Sequence, residues 1–254
     1  MLDYITANKH NSLIFSTKSD KKINPKVAIY ISFQTLQGDK YEDVLFDALE
    51  AIGFTIIKII NSDVSKQINS LSDPVLREND GADLGAIRDI FTLIDANHVT
   101  ELFIFNSSLA YLNNIEDFLQ AVRQKDIDQV TVGVQSYQKI MHFQSYFYYA
   151  SGKGVAALKK SFEVVRNVRY KRTLINFGEI WISRRLIRSG IQLNVLYPYL
   201  DILNRKPAWY YRFGIALNPS LDCAEDLIVL GAPFVKRSHP KIRTILEKDW
   251  GQID

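Results

Sequence analysis

The run Leu102-Phe103-Ile104-Phe105 constrains this chain more than any other stretch. Four consecutive apolar residues leave no polar face, so the strand they form must be covered on both sides. The run stops at Asn106-Ser107-Ser108, three small polar residues. In open α/β sheets ligands sit in the crevice beyond the carboxyl ends of the strands, which makes Asn106, Ser107 and Ser108 the expected meeting point with a ligand. Upstream, Arg77-Glu78-Asn79-Asp80-Gly81-Ala82-Asp83-Leu84-Gly85 reads as a polar, glycine-punctuated loop leading into a helix. Loop, helix and strand together have the makings of a half-site for a phosphate-bearing ligand.

The rest of the amino-terminal half supports a sheet of this kind. Val27 to Phe33 is β-branched and aromatic and reads as the first core strand. Tyr41 to Ile52 places Val44, Leu45, Ala48, Leu49 and Ile52 on one helix face, with Gly53 closing it. Phe54 to Ile60 is a second strand ending at Asn61-Ser62-Asp63, and strand, helix, strand in so short a span is a βαβ unit with parallel strands. Asp83 is expected to cap the next helix, whose apolar face is Leu84, Ile87, Ile90, Phe91 and Ile94. Asn114 with Asp117 resembles a capping box for a helix through Val122. Strands are expected at Gln129 to Val134, Phe143 to Ala150 and Ile191 to Leu196, and helices at Val155 to Val165 and Leu174 to Ile187. Pro198, Pro207 and Pro219 break up a loop-rich tail with helices near Asp222 to Leu230 and Pro240 to Trp250. Residues 1–26 are polar, with one short strand at Ser12 to Ser16, and read as an arm on a single domain spanning 27–254.

Composition excludes several classes. With 254 residues, 47% hydrophobic and 23% charged, the chain has enough apolar material for one large α/β domain and is not of disordered composition. A net charge of +3 is too small to announce a nucleic-acid binder. The single cysteine, Cys223, permits no internal disulfide and no cysteine-clustered zinc site, so a reducing cytoplasm is the expected setting. No apolar run approaches the roughly 20 residues of a membrane helix, and the amino terminus does not have the pattern of a signal peptide.

Five pieces, taken in order, resemble the rhamnan synthesis protein F family of bacterial glycosyltransferases. They are Glu78-Asn79-Asp80-Gly81-Ala82-Asp83-Leu84-Gly85, Phe105-Asn106-Ser107-Ser108, His142-Phe143-Gln144-Ser145-Tyr146-Phe147, Ile175-Asn176-Phe177-Gly178-Glu179-Ile180, and Asn218-Pro219-Ser220 with Gly231-Ala232-Pro233-Phe234-Val235-Lys236. The resemblance implies a GT-A-like open mixed sheet with a nucleotide-binding amino-terminal half and a loop-rich carboxyl-terminal part. It implies an inverting transfer of a sugar, rhamnose foremost, from a nucleotide diphosphate to a surface polysaccharide or O-antigen glycan, with a glycan or lipid-linked acceptor and no nucleic acid. One departure matters. The family tends to carry an aspartate after the asparagine of the organising strand, and this chain has Ser107. A carboxylate there would hold Mg²⁺ or Mn²⁺ against the diphosphate. With serine the diphosphate is left to hydroxyls, backbone N–H groups and basic side chains, or activity is lost and the chain binds sugar or scaffolds a synthase.

The resemblance marks Glu179 as the general base that takes the acceptor proton; the plainer alternative is a half-exposed helix glutamate paired with Arg184 or Lys171. Asp63 falls where GT-A enzymes bind nucleobase or ribose, and a strand-terminal Asn-Ser-Asp is equally a turn. Asn79 and Asp83 flank Gly81, whose missing side chain lets backbone approach a ligand; a capped helix start there also offers N–H groups to phosphate. Glu78 could orient a sugar or Arg88. If 143–150 is one strand, His142, Gln144 and Tyr146 share a face that could line a sugar pocket, and Ser145 lies on the other. Lys236 could neutralise the leaving diphosphate. Finally, Trp181 to Arg188 and Lys206 to Arg212 mix aromatics and cations, a combination suited to peripheral contact with an anionic membrane at its inner face.

Overall fold

The computed structural model describes residues 13–15, 25–33, 40–62, 75–79, 81–124, 127–138, 140–166, 171–207 and 217–250. Its strands are β1 (Leu13–Phe15), β2 (Lys26–Phe33), β3 (Thr55–Ser62), β4 (Val75–Glu78), β5 (Glu101–Asn106), β6 (Leu109–Tyr111), β7 (Gln129–Ser136), β8 (His142–Phe143), β9 (Phe147–Ser151), β10 (Gln192–Tyr197) and β11 (Phe234–Lys236). The helices are α1 (Lys40–Ala51), α2 (Ala82–Leu93), α3 (Ile115–Arg123), α4 (Lys153–Phe162), α5 (Lys171–Leu174), α6 (Ile180–Arg188), α7 (Tyr199–Leu203), α8 (Pro219–Asp222), α9 (Ala224–Val229) and α10 (Ile242–Trp250). A π-helical turn, Ile175–Glu179, joins α5 to α6.

The main sheet runs in the order β1-β4-β3-β2-β5-β9-β7-β10, with β8 hydrogen-bonded to β7, and β6 pairs with β11 in a small second sheet. Strands β4, β3, β2 and β5 are mutually parallel, as are β7 and β10, whereas β9 runs antiparallel to both β5 and β7. This is an open, mixed α/β sheet, as the sequence predicts. The apolar run of β5 is buried throughout because its two faces enter different cores. Leu102 and Ile104 join Ile29, Ile31, Tyr148 and the inner faces of α2, α4 and α6. Phe103 and Phe105 join Tyr30, Phe147, Tyr149, α1 and α3. Three layers result, helices on each side of the sheet.

Several local expectations give way. Arg77 is not in a loop: β4 extends through Glu78, and the Arg77 side chain is only 1% exposed. Its guanidinium meets Asp89 Oδ2 (2.9 Å from Nη2) and Asn61 Oδ1 (2.8 Å from Nη1), so a buried partner set outweighs its polarity. Asn114 makes no side-chain cap on α3. The predicted strand over 143–150 is two, broken at 144–146, because Gln144 and Ser145 turn their polar groups to other elements. The helix predicted over 174–187 is interrupted by the π-turn, and β4, β6 and β11 have too few residues to show a period. Among the described residues no helix is long and apolar enough to cross a membrane.

Candidate functional site

The carboxyl ends of β2 and β5 lie side by side, Ile31 opposite Asn106. The chain leaves β5 through Ser107, whose N–H donates to the Ile31 carbonyl at 2.8 Å. Asn106 is buried and works in two directions. Its Nδ2 donates to Asp83 Oδ2 at 2.7 Å. Its Oδ1 accepts from the Ser108 N–H at 3.1 Å and from the Ser108 hydroxyl at 2.5 Å. One side chain thus ties the end of the organising strand to the start of α2 and fixes the turn that follows.

Asp83 does not cap α2, contrary to the sequence reading. The residue before the helix is Gly81, at φ +78°, and it makes no side-chain cap; the Asp83 carboxylate turns to Asn106 instead. Gly81 is required here on two counts. Its left-handed backbone disfavours a side chain, and an added Cβ would stand 3.1 Å from Gly85 Cα and 3.3 Å from the Arg166 carbonyl. Burial pushes the Asp83 carboxyl up to about 6; the Asn106 hydrogen bond opposes the shift, the charge of Glu179 adds to it, and Arg77 and Lys236 oppose it. Glu179 and Lys236 are therefore within electrostatic reach of Asp83.

Glu179 closes the π-turn, a feature often found at functional positions. The turn packs against α2 through Gly178: a Cβ there would fall 2.4 Å from Leu84 Cδ1. Ser183, one turn on, donates to the Glu179 carbonyl at 2.6 Å and accepts the Phe143 N–H at 2.8 Å, tying the turn to β8. Glu179 Oε1 accepts the Ser145 N–H at 3.2 Å, and its Oε2 lies 3.7 Å from His142 Nε2. His142 Nδ1 is 2.8 Å from the Ile140 carbonyl, which assigns the ring proton to Nδ1 and leaves Nε2 facing the carboxylate. In the neutral ring Nε2 can accept a proton that Glu179 has taken up; in the charged ring it forms an ion pair. Arg184 does not figure among these partners of Glu179, and the side chain of Lys171 lies outside the described residues.

Asp83, Asn106, Ser107, Ser108, His142, Ser145, Glu179 and Lys236 therefore belong to one region at the carboxyl edge of the sheet. Lys236 reaches it on β11, whose pairing with β6 sets Lys236 opposite Leu109, just past Ser108. Gln144 takes another role: its amide donates to Asn218 Oδ1 at 2.9 Å and accepts the Tyr146 hydroxyl at 2.9 Å, joining the β8–β9 turn to the segment before α8. Asn79 is half-buried between β4 and α2. Asp63 and the side chain of Glu78 lie outside the described residues, and Arg88 pairs with Asp89 and the Val165 carbonyl. Sequence reasoning missed Ser183 and Tyr148, whose buried hydroxyl has no hydrogen-bond partner among the described residues and lies within electrostatic reach of Glu179. Ser183 had a legible signal, a small polar residue on the otherwise apolar buried face of an amphipathic helix.

Asn106 Oδ1 is committed to Ser108, one oxygen of Asp83 is held by Asn106, and position 107 is serine. Among the described residues no group of three or more His, Cys, Asp or Glu could hold a metal ion.

No family model matches the chain, and no curated protein matches it in sequence. Solved structures do. A glycosyltransferase involved in glycosylation of the major capsid of PBCV-1 is similar at 9% identity and a TM-score of 0.46, over 84% of this chain and 95% of that one. A protein described as a nucleotide-diphospho-sugar transferase, from Desulfovibrio desulfuricans, is similar at 10% identity and 0.41, over 75% and 91%. The 2-C-methyl-D-erythritol 4-phosphate cytidylyltransferase of Thermus thermophilus is similar at 8% identity and 0.40, over 68% and 88%. With TM-scores below one half, the roles of the residues described above rest on their own geometry.

Proposed function

We propose that this protein is a GT-A-like, nucleotide-sugar-dependent glycosyltransferase of bacterial surface-polysaccharide assembly. The observation that carries the reading is the convergence, at the carboxyl edge of the sheet, of a held carboxylate (Glu179), a lysine (Lys236) and the Asn106–Ser108 turn beside the start of α2. In this reading Glu179 Oε2 takes the proton of the acceptor hydroxyl as its oxygen bonds to the sugar carbon. The bond from that carbon to the diphosphate breaks on the opposite face, and inversion follows. Lys236 and the Ser107–Ser108 turn meet the departing diphosphate without a metal, and His142 Nε2 receives the proton from Glu179. Rhamnose is the sugar that the sequence resemblance favours, a glycan or lipid-linked carrier the acceptor, and the cytoplasm the setting.

Two measurements test this. A thermal-shift panel of dTDP, UDP, GDP and CMP, each with and without Mn²⁺, should show one diphosphate stabilising the protein equally in both conditions; at a hundredfold excess over Kd the gain is about 2.7 kcal/mol. With the nucleotide-sugar so named, Glu179→Gln should lower transfer about 10²- to 10⁴-fold while the diphosphate still binds, because glutamine can still accept the Ser145 N–H. Silence across the panel overturns the donor assignment. Unchanged transfer by Glu179→Gln removes the base role. Ser107 and the commitment of Asn106 Oδ1 also favour a second reading, a non-catalytic member that binds sugar or scaffolds a synthase; diphosphate binding with no turnover of any nucleotide-sugar would select it.

A further inference from the structure

The outward side of the α5–α6 segment carries Phe177, Trp181, Arg184 and Arg188, at intervals of four, three and four residues that align along one side of a helix. Phe177 is 51% exposed, Trp181 45% and the neighbouring Ile187 49%. Arg184, Arg185 and Arg188 are exposed as well, while Ile180, Ile182, Ser183 and Leu186 on the other side are buried. Arg185 also reaches α4, donating to the Lys160 carbonyl at 2.8 Å, which brings the exposed Lys160 to the same surface. Among the described residues none of these four cations forms an ion pair with a carboxylate. The chain as a whole is nearly balanced at +3, so the positive field is local.

Two large aromatics and an isoleucine held in water beside unneutralised arginines fit one environment well. Rings and aliphatic groups enter a headgroup boundary, and guanidinium groups extend to lipid phosphates. A single convex helix side offers no groove for a nucleic-acid backbone to follow. We propose that this stripe docks the protein on an anionic lipid surface. Glu179 lies two residues from Phe177 and two from Trp181, which sets it on the other side of the same helical segment, so docking brings the candidate site to within a helix diameter, about 10 Å, of the membrane. The inference does not depend on the transfer reaction, because it rests on exposed side chains alone.

The full chain, co-sedimented with vesicles of phosphatidylcholine alone or with added phosphatidylglycerol, provides the test. Binding should require phosphatidylglycerol and weaken with salt, since surface charges are screened beyond about 8 Å at physiological ionic strength. Arg184→Gln with Arg188→Gln should weaken it about 25-fold, about fivefold for each charge. Brominated lipid should quench tryptophan fluorescence in the wild-type protein and much less in Trp181→Phe. All three positions are exposed, so melting temperatures should stay at the wild-type value and exclude unfolding as the cause. Equal binding to both vesicle types, binding to neither, or no effect of the double arginine change overturns the proposal. Capture of soluble glycan or single-stranded RNA in place of vesicles does the same and reassigns the stripe. Diphosphate binding measured on the same preparations separates failure here from failure of the glycosyltransferase reading.

Discussion

Replacing Asp83 by asparagine should stabilise the protein at neutral pH, although it removes a half-buried carboxylate that is hydrogen-bonded. The Asp83 carboxyl is raised from 3.8 to about 6, chiefly by burial, and each pK unit is worth 1.36 kcal/mol. The difference of about two units corresponds to about 3 kcal/mol. Well below the unfolded value of 3.8 the group is protonated in both folded and unfolded chains and carries no penalty. Between about pH 4 and 6 the unfolded chain ionises first, so stability from this group is lost progressively as pH rises through the folded value. Asparagine mimics the protonated state and can still accept the Asn106 Nδ2–H. Asp83→Asn should therefore match the wild type only below about pH 3 and exceed it by about 3 kcal/mol above pH 6. Urea unfolding curves of both proteins from about pH 3 to pH 8 measure the difference directly. A variant destabilised at pH 8, or a difference independent of pH, would refute the reasoning and show the Asp83 carboxylate to be adequately solvated or paired.

Two other perturbations follow from packing and charge. Gly178→Ala drives a methyl to within 2.4 Å of Leu84 and should lower stability by about 1 to 3 kcal/mol, read as a shift in urea midpoint. Combined with Leu84→Ala it should cost less than the sum of the two single changes, because the truncated side chain makes room. Arg77→Leu leaves Asn61 Oδ1 without its guanidinium and takes from Asp89 one of the two arginines paired with it. The expected loss is about 3 kcal/mol, a fall in melting temperature of about 6 to 12 °C.

Much of the sheet was legible because its strands are either apolar on both faces or separated by helices with a clear stripe. All five residues of the predicted apolar face of α2 (Leu84, Ile87, Ile90, Phe91 and Ile94) are buried. What escaped was structure whose cause lies far away in sequence. Arg77 looked like a loop residue because its partners, Asn61 and Asp89, are 16 and 12 positions distant. Asp83 has the residue type of a helix cap, yet Asn106 outcompetes the α2 N–H groups for its carboxylate. The alternation over 142–147 promised a continuous strand, and the Ser145 N–H instead turns to Glu179, 34 positions on. The gathering of Asn106, His142, Glu179 and Lys236 was reachable only through the order of motifs, since no spacing rule relates residues on four separate elements.

The small β6–β11 sheet has a consequence for the order in which the protein acquires its properties. It joins residues 109–111 to residues 234–236, so a long loop must close before Lys236 arrives beside the Asn106–Ser108 turn. Pairings of that separation form late, after the entropy of closure has been met. On the ribosome, the strands from β2 to β10 leave the tunnel before β11 has been made. A nascent chain can thus build its central sheet and the core around Leu102 and Ile104 while still lacking the cation expected to meet a diphosphate, whereas the core around Phe103 and Phe105 waits for Leu217, Leu227 and Phe234. On the proposed function, competence for the donor becomes the last property gained in maturation, and it is the first forfeited when the β6–β11 pairing opens.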